Sequence, residues 1–148
     1  MAATYNNLYL DARKRLREAG VEGAQLEARE LVCCAAGKSR EQFYRDMALY
    51  ASDPVEEKLA ELLERRLAGE PVAYLIGEWE FYGLGLDITP DVLIPRMDTE
   101  VLAERAILLA RAAGEGARVL DLCAGSGCVG LAVAANVPGC RVVLADVS

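Results

Sequence analysis

Apolar side chains recur at helical spacing through the first seventy residues, and glycines interrupt the pattern at intervals. The first segment predicts a helix that ends before Gly20. The residues expected to face inward from this helix are Tyr5, Leu8, Ala12 and Leu16. One apolar face with polar residues around it is typical of a helix that packs against others.

A second helix is predicted from Ala24 to Ala36, and Gly37 ends it. Its inward-facing residues are predicted to be Leu26, Leu31, Val32 and Ala35. Ser39 and Gln42 then follow the S-x-x-Q order of a capping box, in which each side chain bonds the backbone of the other residue. A short third helix carrying Phe43 is expected to begin there.

The fourth predicted helix has the strongest signals. Asp53 is expected to cap it, and Pro54 suits its first turn, where no backbone N–H is needed. One apolar stripe follows and ends before Gly69: Val55, Leu59, Leu62, Leu63 and Leu67. The short connections and the apolar stripe on one side of each helix predict that residues 1–70 form a compact helical domain. We assign its residues a role in packing and none in the chemistry.

The composition changes at Pro71, where aromatic and β-branched residues become frequent. Val72–Ile76 and Glu78–Tyr82 have this character, and Gly83 then breaks the chain. We predict a β-hairpin that turns near Gly83 and makes residues 71–90 a linker. Its aromatic residues are interpreted as hairpin packing rather than substrate contacts: Trp79, Phe81 and Tyr82.

The remaining residues, 91–148, alternate between helix and strand patterns. Asp98 begins a helix, whose inward-facing residues are predicted to be Val101, Leu102, Leu108 and Leu109. A strand over 119–122, a tight loop over 123–127, a helix over 128–136 and a strand over 141–146 follow. This β-α-β order predicts the opening of a parallel sheet with helices on its faces.

Composition narrows the possible functions. The 148 residues include no histidine, which excludes a Ser-His-Asp triad, a histidine metal site and a histidine general base within the chain. A net charge of −7 disfavours direct contact with nucleic acid.

The five cysteines follow no disulfide or zinc spacing, so no bound metal is expected. No apolar run suits a membrane span and no secretion signal is seen, so a cytoplasmic protein is expected.

The loop between the two predicted parallel strands is the informative stretch for chemistry. Gly125, Gly127 and Gly130 match the G-x-G-x-x-G pattern of dinucleotide sites, in which the backbone approaches a ligand at a helix N-terminus. Asp146 follows about twenty residues later, where such sites place an acid on a ribose. The glycines alone therefore leave NAD binding open.

Asp121 distinguishes between the two candidate ligands by its charge. It lies at the end of the first strand, close to where a dinucleotide would place its phosphates. S-adenosylmethionine has no phosphate and carries a positive amino group and a positive sulfur, which a carboxylate attracts. We therefore predict that Asp121 and Asp146 bind S-adenosylmethionine. The alternative for Asp121 is a carboxylate that only caps the glycine loop.

Four motifs resemble the PrmC/HemK family, the N5-glutamine methyltransferases of peptide-chain release factors. They are E-P-V-A-Y-L-I-G-E-W-E-F-Y-G from Glu70, L-I-P-R-M-D-T-E from Leu93, V-L-D-L-C-A-G-S-G from Val119 and A-D-V-S from Ala145. The first two are specific in this order, whereas the third occurs in many methyltransferases. The resemblance implies an N-terminal α-helical bundle, a β-hairpin linker and the start of an α/β Rossmann-like methyltransferase domain.

The resemblance also implies which residues bind the methyl donor. Around S-adenosylmethionine it places Cys123, Ala124, Gly125, Ser126 and Gly127, with Asp146 on the ribose. It brings Arg96, Thr99 and Glu100 near the donor pocket, although these residues also suit a helix N-terminus. The chain departs from the family where Cys123-Ala124 replaces Gly-Thr or Gly-x, and where Met97 replaces a proline. Backbone contacts are therefore expected at Cys123 and Ala124.

The family's Asn-Pro-Pro-Tyr motif, which holds the amide that is methylated, does not occur in this sequence. The resemblance places that motif some tens of residues after Asp146. The chain is therefore expected to be an N-terminal portion of the enzyme, with no catalytic residue of its own and no activity alone. The expected reaction is S-adenosylmethionine-dependent N5-methylation of the glutamine in the Gly-Gly-Gln motif of a release factor.

Other functions stay open at this point. The substrate could be a glutamine of a ribosomal protein, or the chain could be a non-catalytic module that binds release factor through residues 1–70. An NAD-dependent oxidoreductase would be favoured by NADH binding that Asp121→Asn strengthens. Adenine methyltransferases of nucleic acids share the Asn-Pro-Pro-Tyr motif, but the acidic charge of the chain counts against them.

Overall fold

The computed structural model describes residues 3–147, within which there are seven helices and four strands. In chain order they are α1 (Tyr5–Glu18), α2 (Ala24–Ala36), α3 (Arg40–Asp46), α4 (Asp53–Leu67), α5 (Val72–Ile76), β1 (Glu78–Phe81), β2 (Leu84–Asp87), α6 (Asp98–Ala112), β3 (Arg118–Leu122), α7 (Cys128–Asn136) and β4 (Arg141–Ala145). The chain divides into two compact units between Ile76 and Gly77. None of the helices in this range is both long and apolar enough to cross a membrane.

Local side-chain signals set the starts of two helices in the first unit. Thr4 precedes α1, and its Oγ1 accepts a hydrogen bond from Asn7 N at 3.2 Å. Before α3 the predicted capping box is present, with Ser39 Oγ accepting from Gln42 N at 3.2 Å and Gln42 Oε1 accepting from Ser39 N at 2.8 Å. These bonds satisfy N–H groups that the first turn of a helix leaves without partners.

The core of the first unit lies among its helices. Its largest fully buried side chains are Leu16, Leu31, Val32 and Phe43. The prediction that Leu26 faces inward is wrong, because this residue is 41% exposed. The buried face of α2 repeats every three or four residues, at Ala24, Ala28, Leu31 and Ala35. Leu26 lies on the opposite side of the helix.

Two predictions for the later part of this unit need correction. Ser52, rather than Asp53, occupies the N-cap position of α4, and Asp53 is the first helical residue. Val72–Ile76 forms α5 instead of part of the β-hairpin linker. Packing explains this helix, because Val72 and Ala73 are buried and α5 contacts α2 and α4. A strand-like composition is only a weak preference, which such packing overrides.

The predicted hairpin is present as β1 and β2, which pair antiparallel with Trp79 opposite Leu86. Tyr82 and Gly83 form its two-residue turn, and both have a positive φ, of 50° and 75°. Two positive φ values are the pattern of a type I′ turn, whose twist matches that of the paired strands. The prediction of a turn near Gly83 is therefore confirmed.

The second unit also contains the predicted β-α-β order. Strands β3 and β4 pair in parallel, with Asp121 opposite Leu144, and α7 connects them. Helices α6 and α7 pack together over one face of this sheet, around a core of Ile107, Ala110, Val133 and Val137. The carboxyl ends of both strands therefore lie at one edge of the sheet, beside the N-terminus of α7.

The buried face of α6 differs from the predicted one. Its buried residues are Ala103, Ile107 and Ala110. The residues predicted to face inward, Val101, Leu102, Leu108 and Leu109, are between 51% and 72% exposed. The helix has two apolar stripes, and periodicity alone does not tell which of them faces the core. The stripe that contains Ala103 and Ala110 is the one that is buried, because small residues let α6 approach α7 closely.

Candidate functional site

The glycine-rich loop joins the end of β3 to the start of α7. Its backbone has a positive φ at Cys123 (61°), Gly125 (53°) and Gly127 (78°). Gly127 N donates a hydrogen bond to Ala124 O at 2.7 Å, which closes a tight turn inside the loop. Ala124 N donates to Ala145 O at 3.1 Å, so the loop is also tied to the end of the neighbouring strand.

Asp146 follows β4 and holds the same loop from the second strand. Its Oδ2 accepts a hydrogen bond from Gly125 N at 2.8 Å, and its Oδ1 accepts one from Val147 N at 2.7 Å. Asp146 and Gly125 are both exposed. Apart from the chain neighbours of Gly125, no atom of residues 3–147 lies within 4 Å of where a side chain at Gly125 would project. The loop and Asp146, predicted separately to face the same ligand, are therefore in direct contact at the carboxyl edge of the sheet.

Asp121 is half-buried and contacts the start of α7. Its Oδ2 accepts a hydrogen bond from Gly130 N at 2.9 Å. Gly130 is the third residue of α7, a position whose N–H has no partner within the helix. This contact corresponds to the alternative for Asp121, a carboxylate that caps the end of the glycine loop. A direct contact between Asp121 and a methyl donor stays a prediction.

Gly130 was not among the predicted site residues, yet it shapes the site. A Cβ on this glycine would lie 2.3 Å from Leu144 Cδ2, 3.1 Å from Asp121 Oδ2 and 3.1 Å from Val142 Cγ1. A side chain would therefore be overpacked, and glycine lets α7 lie directly against β4. The sequence did contain a signal for this role, because the third glycine of the G-x-G-x-x-G pattern allows a helix to pack closely on a strand.

The other predicted loop residues differ in exposure. Cys123 is exposed, Ala124 and Ser126 are half-buried, and Gly127 is buried. All five cysteines are free thiols: Cys33, Cys34, Cys123, Cys128 and Cys140. Over residues 3–147, no group of three or more cysteine or carboxylate side chains is arranged to hold a metal ion. The chemistry available at this edge is therefore that of backbone groups, two carboxylates, a hydroxyl and a thiol.

The segment that leads into α6 is held to the hairpin. Glu100 Oε1 accepts a hydrogen bond from Tyr82 N at 2.9 Å, next to the hairpin turn. Thr99 N donates to Arg96 O at 3.0 Å in the turn that begins α6. No hydrogen bond within residues 3–147 joins Arg96, Thr99 or Glu100 to the glycine loop. Glu100 therefore fixes the hairpin turn, and a place for these three residues in a donor pocket stays a prediction.

Two protein-family models match the chain. The model described as the PrmC N-terminal domain matches residues 7–77, which cover the helical unit from the first turn of α1 onward. The model described as lysine methyltransferase matches residues 95–148, which include α6, both parallel strands and the glycine loop. The two matches thus fall on the two compact units of the structure.

The chain is also similar to curated proteins named release factor glutamine methyltransferase. It is 40% identical to the one from Geobacter sulfurreducens over 131 residues, which is 88% of this chain and 45% of the relative. It is 45% identical to the one from Bordetella pertussis over 130 residues, 84% of this chain and 46% of the relative. For Vibrio cholerae the identity is 37% over 146 residues, 99% of this chain and 50% of the relative. The chain spans about half the length of the curated relatives that it matches.

Proposed function

Because the chain belongs to the PrmC family, we propose that it supplies the recognition domain and the donor-binding start of a release factor glutamine methyltransferase. The proposed reaction is S-adenosylmethionine-dependent N5-methylation of the glutamine in a Gly-Gly-Gln motif. In this assignment the helical unit, which ends at Ile76, recognises the release factor. The hairpin of β1 and β2 is the linker, and residues 91–148 begin the methyltransferase domain. The enzyme would act in the cytoplasm, where release factors work.

The observation that carries the donor assignment is the hydrogen bond between Asp146 and Gly125 N. It fixes a carboxylate at the carboxyl ends of two parallel strands, the edge at which ligands of open α/β sheets bind. A carboxylate accepts hydrogen bonds from hydroxyl groups, and an acid at this distance from the glycine loop is the type of residue that binds a ribose in such folds. These residues therefore fit the adenosine part of S-adenosylmethionine.

The rest of the loop fits the positively charged part of the donor. Cys123 and Gly125 are exposed, and at Gly125, which has no side chain, the backbone can approach a ligand closely. Asp121 and Asp146 put negative charge on this edge, which favours a sulfonium and an ammonium group. S-adenosylmethionine, when bound, supplies a methyl group that is already activated for displacement. The chain's own residues would hold and orient it, because positioning carries most of the catalysis when the acceptor is a poorly nucleophilic amide.

Calorimetric titration of S-adenosylhomocysteine into the chain tests this site. We expect the wild type to bind, and Asp146→Ala to lose about tenfold or more in affinity, since hydrogen bonds to a charged acceptor are lost. Asp87→Ala is the matched control, because Asp87 is also an exposed carboxylate at a strand end of the second unit. It should bind like the wild type. Equal affinities for wild type and Asp146→Ala would contradict the ribose assignment, and absence of binding by the wild type would contradict the donor site itself.

A further inference from the structure

Asp121 occupies the helix N-terminus at which dinucleotide-binding folds hold phosphates. The first three residues of α7, Cys128, Val129 and Gly130, have N–H groups without partners inside the helix. Asp121 Oδ2 accepts from the third of them at 2.9 Å. We propose that Asp121 is a specificity-determining residue, which closes this helix N-terminus to phosphate and makes the site select adenosine ligands without phosphates. The inference rests on the proposed function, because it assumes an adenosine site at the loop.

The close packing of α7 makes this contact possible. A Cβ on Gly130 would lie 3.1 Å from Asp121 Oδ2, so a side chain there would crowd the carboxylate. Val142 Cγ1 would also lie 3.1 Å from that Cβ, and it belongs to the neighbouring strand. The glycines of the loop thus match the dinucleotide pattern in spacing, but here the third glycine lets a carboxylate reach the helix N–H.

The charge of Asp121 and its hydrogen bond to Gly130 N both disfavour a phosphate at the N-terminus of α7. A helix N-terminus carries roughly half a positive charge, which attracts phosphates and which the Asp121 carboxylate neutralises. A phosphate at this place would find the Gly130 N–H already bonded and a negative charge beside it. The basic residues between positions 118 and 147, Arg118 and Arg141, lie at the amino ends of the strands. By the rise of a strand, the backbones of these two arginines are about 13 Å from the carboxyl ends, so neither residue lies next to Asp121.

Adenosine and ADP form a matched pair of probes, because they differ only in the phosphates. We expect the wild type to bind adenosine and to bind ADP more weakly. Asp121→Asn keeps an oxygen that can accept the Gly130 N–H but removes the charge, so it should improve the affinity for ADP relative to adenosine by about tenfold. Asp121→Ala also releases the N–H and should improve the ratio further. A merely structural role for Asp121 would weaken both ligands together, and an unchanged ratio in both variants would overturn the proposal.

Inorganic phosphate gives a readout that does not depend on the adenosine site. In amide NMR spectra of the full chain, added phosphate should leave the Val129 and Gly130 signals of the wild type in place and shift them in both Asp121 variants. The same spectra show whether each variant is folded, and Asp87→Asn should behave like the wild type. Absence of a shift in both folded variants would overturn the closing role of Asp121, even if the donor binds. Failure of adenosine and S-adenosylhomocysteine to bind would instead count against the proposed function.

Discussion

Two cysteines illustrate how the position of a single residue controls its chemistry. Burial raises the pKa of the Cys33 thiol to about 11, and the negative charge of Glu30 adds to the rise. Cys123 is exposed and lies in the glycine loop. Thiols react as thiolates, and at pH 8 a thiol with a pKa near 11 is ionised in roughly one molecule in a thousand. Cys33 is therefore an inert core residue, whereas Cys123 is accessible to reagents.

We expect iodoacetamide at pH 8 to modify Cys123 of the folded chain well before Cys33, as measured by mass spectrometry of peptides over time. If the loop binds the donor as proposed, saturating S-adenosylhomocysteine should slow the labelling of Cys123 and leave that of Cys33 unchanged. In Cys123→Ser, the rapidly labelled peptide should disappear. Equal rates at Cys33 and Cys123 in the folded chain would be inconsistent with the burial of Cys33.

At the scale of the element, the correct predictions came from signals that involve only a few neighbouring residues. The capping box at Ser39 and the hairpin turn at Gly83 are examples, because caps and tight turns depend on local backbone conformation. The wrong predictions concern segments whose structure or buried face is determined by packing against other elements. Val72–Ile76 is helical because α2 and α4 cover it, and Ile107 rather than Leu108 is buried because of how α6 meets α7.

In the candidate site, too, local sequence signals predict some features, whereas others depend on how the elements pack. The glycine loop and the strand-ending Asp146 could be located from the sequence, because strand, glycines and helix follow one another directly. The bond from Gly130 N to Asp121 joins residues nine positions apart, and the bond from Tyr82 N to Glu100 joins residues 18 apart. Both require the folded arrangement of two elements, which residue type and spacing do not specify. The structure therefore changes the interpretation of Asp121 and Glu100 more than that of the glycines.

An ion cluster around Asp46 anchors α3 in the first unit. Asp46 is buried, its Oδ1 accepts a hydrogen bond from Arg45 Nε at 2.9 Å, and its Oδ2 accepts one from Lys38 Nζ at 2.8 Å. The bonds from Arg45 and Lys38 lower the pKa of Asp46 from 3.8 to about 2. Because the pKa is lower in the folded chain than in the unfolded chain, the carboxylate stabilises the fold above about pH 4. This stabilisation is lost as the pH falls towards 2.

We expect Asp46→Asn to lower the melting temperature by several degrees at neutral pH, because Lys38 and Arg45 then lose a charged partner. The difference from the wild type should shrink as the pH is lowered from about 4 to about 2, where the wild-type carboxylate also becomes protonated. Thermal unfolding followed by circular dichroism at a series of pH values measures this. Asp11→Asn, at an exposed position on α1, is the control and should differ little from the wild type. A difference for Asp46→Asn that does not vary with pH would contradict the lowered pKa.

At the scale of the whole molecule, the proposed reaction needs the donor and the acceptor amide to be held together. The second unit provides the carboxyl edge with Asp146 and the glycine loop. The PrmC N-terminal model matches the helical unit, to which we assign recognition of the release factor. The Asn-Pro-Pro-Tyr motif, which the family resemblance assigns to holding the amide, does not occur in these residues. Since positioning supplies most of the catalysis, a donor without a held amide should not react.

A protein that consists of these 148 residues should therefore bind S-adenosylhomocysteine and yet not methylate a release factor. Transfer of radiolabelled methyl from S-adenosylmethionine to purified release factor measures the activity. The Bordetella pertussis relative, 45% identical over the shared span, is the positive control. A release factor with alanine in place of the Gly-Gly-Gln glutamine is the negative control. Fusing the remainder of that relative, if it carries Asn-Pro-Pro-Tyr, should produce transfer. Turnover by the 148 residues alone would mean that they hold the amide themselves, and the role given to Asn-Pro-Pro-Tyr would be wrong.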